Sequence, residues 1–524
     1  MLTTAIDITL ITPPESAPPL LSALATNPHL TSLPTPKPEV VAPKDLDITT
    51  GTGEIFRLPE VVKAITGDFI VLPCDLICEV DGSDLVETWM TLEAGLGGAS
   101  GGLEGGVKAD NARGGERNGR RGGMGVWFPT KGLEGISTKR DETDFLATAP
   151  IPPPTVPVPD KFLRRNIEQV VLSIPSSTVK DITEEHKSLP IRHMLVKKHG
   201  NVKMKMNHRD AHIYILPYWA LEMMQLNEFD SIAEDVLGWW AKASWQEGLA
   251  EKMGLRGILD PETKNEDADD MMMESMTLED DIDLAGMSST SIRTAPAPPA
   301  LTPSLGSGAS RIPASVKAAL KPQKSITIPP LLAYVQPPFT AANVSTQPLI
   351  RRVDTTSLLL SVSLRLAKLP SIAECIQTGA TPSHLAHTAK VAHPDMVQAQ
   401  SRISESDSLV AENVTIGSRV NIKESVIGVG CTIGTGSRLT RCLLMDGVTV
   451  GDFVTLTGCI LGRRCKIVGG QPKDEDKTKL TDCEVQSGYV VEWGSKYLLC
   501  TYLDRVLTDH SRNEERETRG FRRS

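Results

Sequence analysis

Aromatic side chains are scarce, 4% of 524 residues, so any core must be assembled from Val, Ile and Leu within an apolar share of 40%. Positive charge is also short: 55 Lys and Arg stand against 65 Asp and Glu, a formal net charge of −10. Such a balance lacks the basic face that neutralising a phosphate backbone requires, which argues against direct nucleic-acid binding. Local clusters such as Leu163-Arg164-Arg165 escape that global count. No stretch reaches the ~18 consecutive apolar residues of a membrane span, so no membrane association is expected. The opening, MLTTAIDITLITPPESAPPLL, has neither a basic leader nor an unbroken apolar run; a secretory signal is not expected, and a cytosolic location is. Paired-cysteine motifs are missing too. Cys74, Cys78, Cys375, Cys431, Cys442, Cys459, Cys465, Cys483 and Cys500 make no C-x-x-C and no zinc spacing with histidine. Buried free thiols in a reducing compartment are the expectation, with no metal and no disulfide framework.

What is present divides into patterned and unpatterned stretches. At this length at least two cored domains are expected, because single cores rarely exceed roughly 250–300 residues. Residues 5–12 read as a strand, LPEVVKAIT (58–66) as a short helix, and DFIVLPCDLI as a strand apolar on both faces. That last pattern predicts a place inside a sheet covered by helices, an α/β layer architecture. GSDLVETWMTLEAG follows with Ser83 as N-cap candidate, making a βα unit. Ligands in such sheets bind beyond the strands' carboxyl ends, where Asp75 lies. QVVLSIPS and AHIYILPYW read as strands, SIAEDVLGWWAKASWQE as helix, and IPPLLAYVQP (328–337) as a strand rejoining the first sheet. Trp239, Trp240 and Trp245 suit core packing better than a partner surface, and His193, His199, His208 and His212 a solvated face. Between these elements lie a glycine-rich stretch from about 95 to 125, a proline-rich one at 149–160, and an acidic then Pro/Ser-rich one at 258–325. None can offset its ordering entropy with buried apolar surface, so all are predicted to stay unordered.

The C-terminal part carries a repeat. Val410, Ile427, Leu444 and Leu461 form one row with a step of 17; Ile416, Ile433, Val450 and Ile467 form a second; Ile422, Leu439 and Leu456 form a third. Rows six, six and five residues apart give a coil with three short sides, hence a triangular parallel β-helix with those eleven residues as its inner ladders. Gly417, Gly434 and Gly451, with Gly428 and Gly462, are expected at tight corners needing positive φ. Lys473 stands where a further third-row aliphatic is due, so 471–480 is expected to protrude and CEVQSGYVVEWGSK to cap the stack. Hexapeptide coils often belong to acyltransferases, but those need a base, and no histidine occurs between His393 and His510.

An α/β domain carrying VLPCDLI, joined to hexapeptide coils, resembles the sugar-phosphate nucleotidyltransferases such as mannose-1-phosphate guanylyltransferase. The resemblance implies a Rossmann-like nucleotidyltransferase-like fold followed by a left-handed parallel β-helix, and makes Asp75 the carboxylate that holds Mg²⁺ on the phosphates. It also makes Gly51, Thr52 and Gly53 (in TTGTGEIFR) the segment facing the base. Asp210 and His212 (in DAHIYIL) stand at the sugar-site turn, where they replace an amide and a glycine. That family's glycine-rich G-x-G-T-R loop has no counterpart in residues 1–50, as if a first strand and loop were missing, so the nucleotide and sugar sites are expected to be vestigial. GDFIVLPCDLICE, MNHRDAHIYIL, LIRRVDTTSLLLSVSLRLAKLP and QSGYVVEWGSK together resemble the gamma-subunit family of eukaryotic translation initiation factor 2B. This implies a non-catalytic subunit of a guanine-nucleotide exchange complex, without a cofactor. Its implied partners are an epsilon-type catalytic subunit, alpha, beta and delta regulatory subunits, and the GTPase initiation factor 2. The implied boundaries are a nucleotidyltransferase-like domain over 1–257 with an insertion at about 95–160, a linker over 258–325, a returning strand and connection over 326–400, coils over 401–500 and a charged tail over 501–524. The alternative is an active pyrophosphorylase of the GDP-mannose or ADP-glucose type.

Overall fold

The computed structural model describes residues 7–31, 37–47, 49–93, 121–133, 136, 143–151, 163–259, 326–340, 347–471 and 477–498. Most of the stretches expected to be unordered, the 472–476 part of the expected protrusion, Cys500 and the charged tail lie outside those residues. The chain divides into two compact units, one of residues 1–74, 80–132 and 139–347, the other of 75–79, 133–138 and 348–524.

In the first unit β1 (Thr9–Ile11) and β2 (Glu39–Val41) pair in parallel. The main sheet uses β3 (Phe69–Val71), β5 (Gly123–Pro129), β6 (Asp144–Ala149), β7 (Ile167–Ile174), β8 (Lys203–Leu216) and β9 (Leu331–Val335); β4 (Leu76–Cys78) belongs to the other unit. Its order is β3-β8-β5-β9-β7-β6, and the long β8 also reaches β6. Only β5 and β9 run parallel, so the sheet is mixed and mostly antiparallel. β9 is the strand expected to rejoin from 328–337, and it lies between β5 and β7.

Both faces of this sheet are apolar and covered by helices. Leu146 on β6 faces a core with Trp127, Tyr214, Trp219 and Trp240, closed by the helices Tyr218–Leu226 and Leu237–Ala243. Its neighbours Phe145 and Ala147 face a second core with Val179, Leu195 and Trp245. Alternation along a strand puts successive side chains on opposite faces, which is how one strand serves both. Trp240 and Trp245 are buried and donate to Pro329 O (2.9 Å) and Val171 O (2.6 Å); Trp239 is half-buried under the Lys242 ammonium.

Three expectations fail here. DFIVLPCDLI does not form an interior strand: β3 is three residues long and pairs only with β8 among the described strands, and Ile70 and Leu72 are exposed. Pro73 stops it, since proline has no N–H to give a ladder. The glycine-rich stretch does not run to 125, because Arg121–Gly125 are buried. A Cβ on Gly123 would lie 2.7 Å from the Trp240 ring, and one on Gly125 equally close to Trp127, so these glycines serve close packing rather than freedom. Asp81, not Ser83, caps the helix Gly82–Glu93, its carboxylate accepting from Ser83 N at 2.9 Å.

The second unit opens with β4 paired antiparallel to β10 (Ile350–Arg352). Two helices follow, Thr356–Ala367 and Ile372–Thr378, the latter begun by a reciprocal Ser371/Glu374 capping box. Then come the coils, as three parallel sheets of six, five and five strands, each strand bonded to the equivalent one a coil away. This is a β-helix, and all eleven ladder residues are 0–3% exposed. Its first bridge is Val391 to Val410, a step of 19, and a later one is Leu461 to Val485, a step of 24. The third row resumes at Leu480, paired with Leu456. Residues 484–498 are therefore another coil in register rather than a distinct cap.

The corner expectation is also corrected. Gly417, Gly428, Gly434, Gly451 and Gly462 do not have positive φ. A Cβ on Gly434 would sit 2.5 Å from the backbone of Gly451 one coil on, so these glycines allow backbone to stack on backbone. Left-handed corners lie elsewhere, at Asn413, Gly430, Gly447, Arg464 and Gly488 in one column, and Glu424, Arg441, Gly458 and Asp482 in another. No helix among the described residues is long and apolar enough to cross a membrane.

Candidate functional site

Asp75 lies just ahead of β4, at the point where the chain enters the second unit. The ladder places Arg352 opposite Leu76, and Val353 N donates to Asp75 O at 2.8 Å. From there the Arg352 guanidinium grips the carboxylate, with Nη2 at 3.0 Å from Oδ2 and Nε at 3.2 and 3.3 Å from the two oxygens. Both side chains are about four-fifths buried. Arg and carboxylate match as planar forks, so the charge of Asp75 is neutralised within the fold. Nearby, the Glu79 carboxylate accepts from Leu349 N (2.7 Å) and Ser383 Oγ (2.8 Å). A Mg²⁺ ion needs free carboxylate oxygens, and a guanidinium against them repels it. The residues around Asp75 therefore do not fit the metal that the resemblance implies. Among the described residues no group of three His, Cys, Asp or Glu forms a metal cradle.

Gly51, Thr52 and Gly53 belong to the first unit and spend their polar groups internally. Gly53 N donates to Asp230 O (2.8 Å), Thr52 Oγ1 accepts from Ile232 N (3.1 Å), and Gly51 N donates to Glu54 (3.1 Å). A Cβ on Gly53 would lie 2.7 Å from Phe229 O, and one on Gly51 would overlap Asp230 O. Glycine is required there by the close approach of two backbones. Arg57 reinforces the seam by donating to Phe229 O at 3.0 Å.

Asp210 and His212 lie in β8, in the same unit. Asp210 is buried; its Oδ1 accepts from His212 N (2.8 Å) and its Oδ2 from the Tyr214 hydroxyl (2.6 Å). His212 has φ 54° and stacks on Tyr214, so the turn keeps a left-handed residue although that residue is not glycine. Asp144 completes the group, accepting from Asp210 N (2.8 Å) and Ser176 N (2.9 Å). Burial pushes the Asp144 carboxyl above its ordinary range, and the charge of Asp210 adds to this. All four carboxylate oxygens thus have a protein donor, and both side chains are buried.

The expected site residues form three constellations: Gly51–Gly53 with Phe229–Ile232, Asp210 and His212 with Asp144 and Tyr214, and Asp75 with Arg352. Sequence reasoning did not single out Arg352, Asp144 or Tyr214. Arg352 lies in LIRRVD, where a double arginine before an aspartate was the available signal. Asp144 had none, since it is one acid among several in KRDETDF. His208 is buried, not solvated; its Nε2 is 2.9 Å from Gln336 O, and burial lowers its pKa. Cys74 is exposed and Cys78 half-buried, so they are not core thiols.

The fold defines a class: an α/β unit with a mixed sheet and a unit of three-faced β-helix coils. Residues 403–491 match the family model described as the GMPPB C-terminal domain, which is similar to the coil region and leaves the rest of the chain unmatched. No curated protein matches the chain.

Proposed function

We propose that this chain is a non-catalytic subunit of a guanine-nucleotide exchange assembly of the translation initiation factor 2B type, in the gamma-subunit role. In this reading its α/β unit is a nucleotidyltransferase-like domain in which nucleotide chemistry has been lost, and its coils wind left-handed. It pairs with an epsilon-type catalytic subunit, joins alpha, beta and delta regulatory subunits in the cytosol, and helps hold initiation factor 2. Exchange factors act by differential binding, favouring the nucleotide-free state so that GDP leaves faster. This subunit supplies surface to that process rather than a reacting group.

The observation that carries the reading is the Asp75–Arg352 pair, since the one carboxylate expected to hold Mg²⁺ is engaged by an arginine. Asp144 and Asp210 support it, because both are buried and every one of their carboxylate oxygens accepts from a protein donor. The match over 403–491 fits this reading and also the alternative of an active sugar-phosphate nucleotidyltransferase. One assay separates them. Purified protein given Mg²⁺, a sugar 1-phosphate and a nucleoside triphosphate is expected to release no pyrophosphate above the blank. Mg²⁺-dependent release that disappears in Asp75→Asn would overturn the proposal. Association with an epsilon-type subunit is expected to survive deletion of 258–325; its loss would show that the segment is more than a linker.

A further inference from the structure

From His186 to Arg209 the sequence is HKSLPIRHMLVKKHGNVKMKMNHR, with seven Lys or Arg, four His and no Asp or Glu. That is anomalous in a chain of net charge −10. The fold displays much of it on the first unit. The helix His193–His199 anchors itself with the buried Leu195 and turns Met194 and Val196 outward, 41% and 42% exposed. The first residues of β8, which starts after a three-residue connection, also expose Met204 and Met206, 47% and 58%. Lys197 and Lys198 are exposed on the helix, and Lys203 on the face of β8 opposite Met204 and Met206. Glu168 receives Lys203 and Lys205, while Lys198 donates to Ser244 O. The run 192–206 thus exposes basic side chains and four apolar ones on more than one face, a composition suited to an acidic, apolar segment able to wrap around it.

A second run of this chain has the complementary composition. Residues 260–283, DPETKNEDADDMMMESMTLEDDID, hold eleven Asp or Glu, one Lys and four Met. They lie outside the described residues, but the flanking residues Leu259 and Ile326 both belong to the unit that carries the basic surface. Ten extended residues already reach ~33 Å, so tether length sets no obstacle. Tethering also raises the local concentration of the segment to about the millimolar range, where weak complementarity suffices.

We propose that the acidic, methionine-rich segment 260–283 docks in cis on the basic, apolar surface formed by residues 192–206. Its carboxylates meet Lys197, Lys198 and Lys203, and its methionines meet Met194, Val196, Met204 and Met206, thioethers adapting readily to one another. Docked this way, the segment screens the most basic run of the protein from other polyanions. The inference stands apart from the exchange-factor reading, since it concerns only two segments of this chain.

Zero-length carbodiimide coupling joins amines to carboxylates in contact, and on the full chain it tests the pairing directly. In low salt, monomeric product mapped by mass spectrometry is expected to link Lys197, Lys198 or Lys203 to 260–283 about tenfold more than other exposed lysines. The yield should fall several-fold in about 0.5 M salt, where the Debye length is ~4 Å. Replacing Met271, Met272, Met273 and Met276 by Ser keeps every charge and should still cut the coupling several-fold. In a second arm, a labelled single-stranded oligonucleotide should bind a variant lacking 260–283 about tenfold more tightly than the full chain, and Lys197→Glu with Lys198→Glu should erase the gain. Coupling spread evenly over the surface lysines would overturn the proposal. So would equal oligonucleotide affinity with and without the segment, which would mark an open surface for an external anion, or methionine substitutions without effect.

Discussion

Asp75 shows how far a single side chain can be read. A carboxylate after an apolar strand was legible as a candidate for metal chemistry; the arginine that grips it stands 277 residues away, and no local pattern links the two. The pair also predicts a stability effect. Arg352→Ala leaves a largely buried carboxylate without its donor and should cost about 1–3 kcal/mol, read as a lowered urea midpoint. Arg352→Lys keeps the charge but not the fork and should recover only part of the loss. Asp75→Asn should destabilise as well, whereas an active-site carboxylate would lose turnover and leave the midpoint unchanged.

Glu168 offers a pH-dependent counterpart. Burial pushes this carboxyl up, but hydrogen bonds from Lys205, Thr148 and Lys203 outweigh burial and hold it down to about 2, against an ordinary 4.5. With a folded pKa below the unfolded one, Glu168 stabilises the fold above pH 4.5, and that contribution drains away as pH falls toward about 2. Glu168→Gln should therefore flatten the acid side of the stability profile, checked by urea midpoints at about pH 5 and pH 3. Asp144 works with the opposite sign. Its raised pKa makes stability fall as pH climbs from the unfolded value of 3.8 through the folded one.

Among the elements, the coils were the most legible, because a solenoid repeats its physics at a fixed interval. Eleven ladder residues at a step of 17 are difficult to arrange by chance. The irregular coils escaped: a 19-residue first step and a 24-residue later one hide Val391, Leu480 and Val485 from a search for that period. Glycine was misread for a physical reason. The period showed that these positions recur but not whether the backbone turns there or only approaches another, and both needs select the same residue. Leu456→Ala, at the centre of a fully buried column, should cost about 2–5 kcal/mol by calorimetry. Gly434→Val should cost comparably, because its Cβ would meet the backbone of Gly451. β3 shows the opposite failure: apolar residues predicted an interior strand, and a single proline made it a short edge.

At the scale of the molecule, thiol chemistry gives a reading of both units at once. Cys375, Cys431, Cys442, Cys459, Cys465 and Cys483 are buried, and burial pushes the thiols of Cys431 and Cys465 up to about 11 and about 12. A thiol that is neither ionised nor reachable does not alkylate. Iodoacetamide at about pH 8 should therefore label Cys74 within minutes, and these six only after denaturant is added, as peptide mapping would show.

The way the chain is shared between the units has a practical consequence. Residues 75–79 lie in the second unit, yet both sequence neighbours of that stretch, 1–74 and 80–132, lie in the first. No single scission can part the units cleanly: a polypeptide starting at Pro348 would carry β10 without β4, its only ladder partner among the described strands. Leu349 would lose both of its hydrogen bonds to Glu79, and Arg352 its counter-ion. Such a truncated piece should melt several degrees lower than the same coils in the whole protein. A synthetic peptide spanning residues 74–80, added in trans, should win back part of the difference.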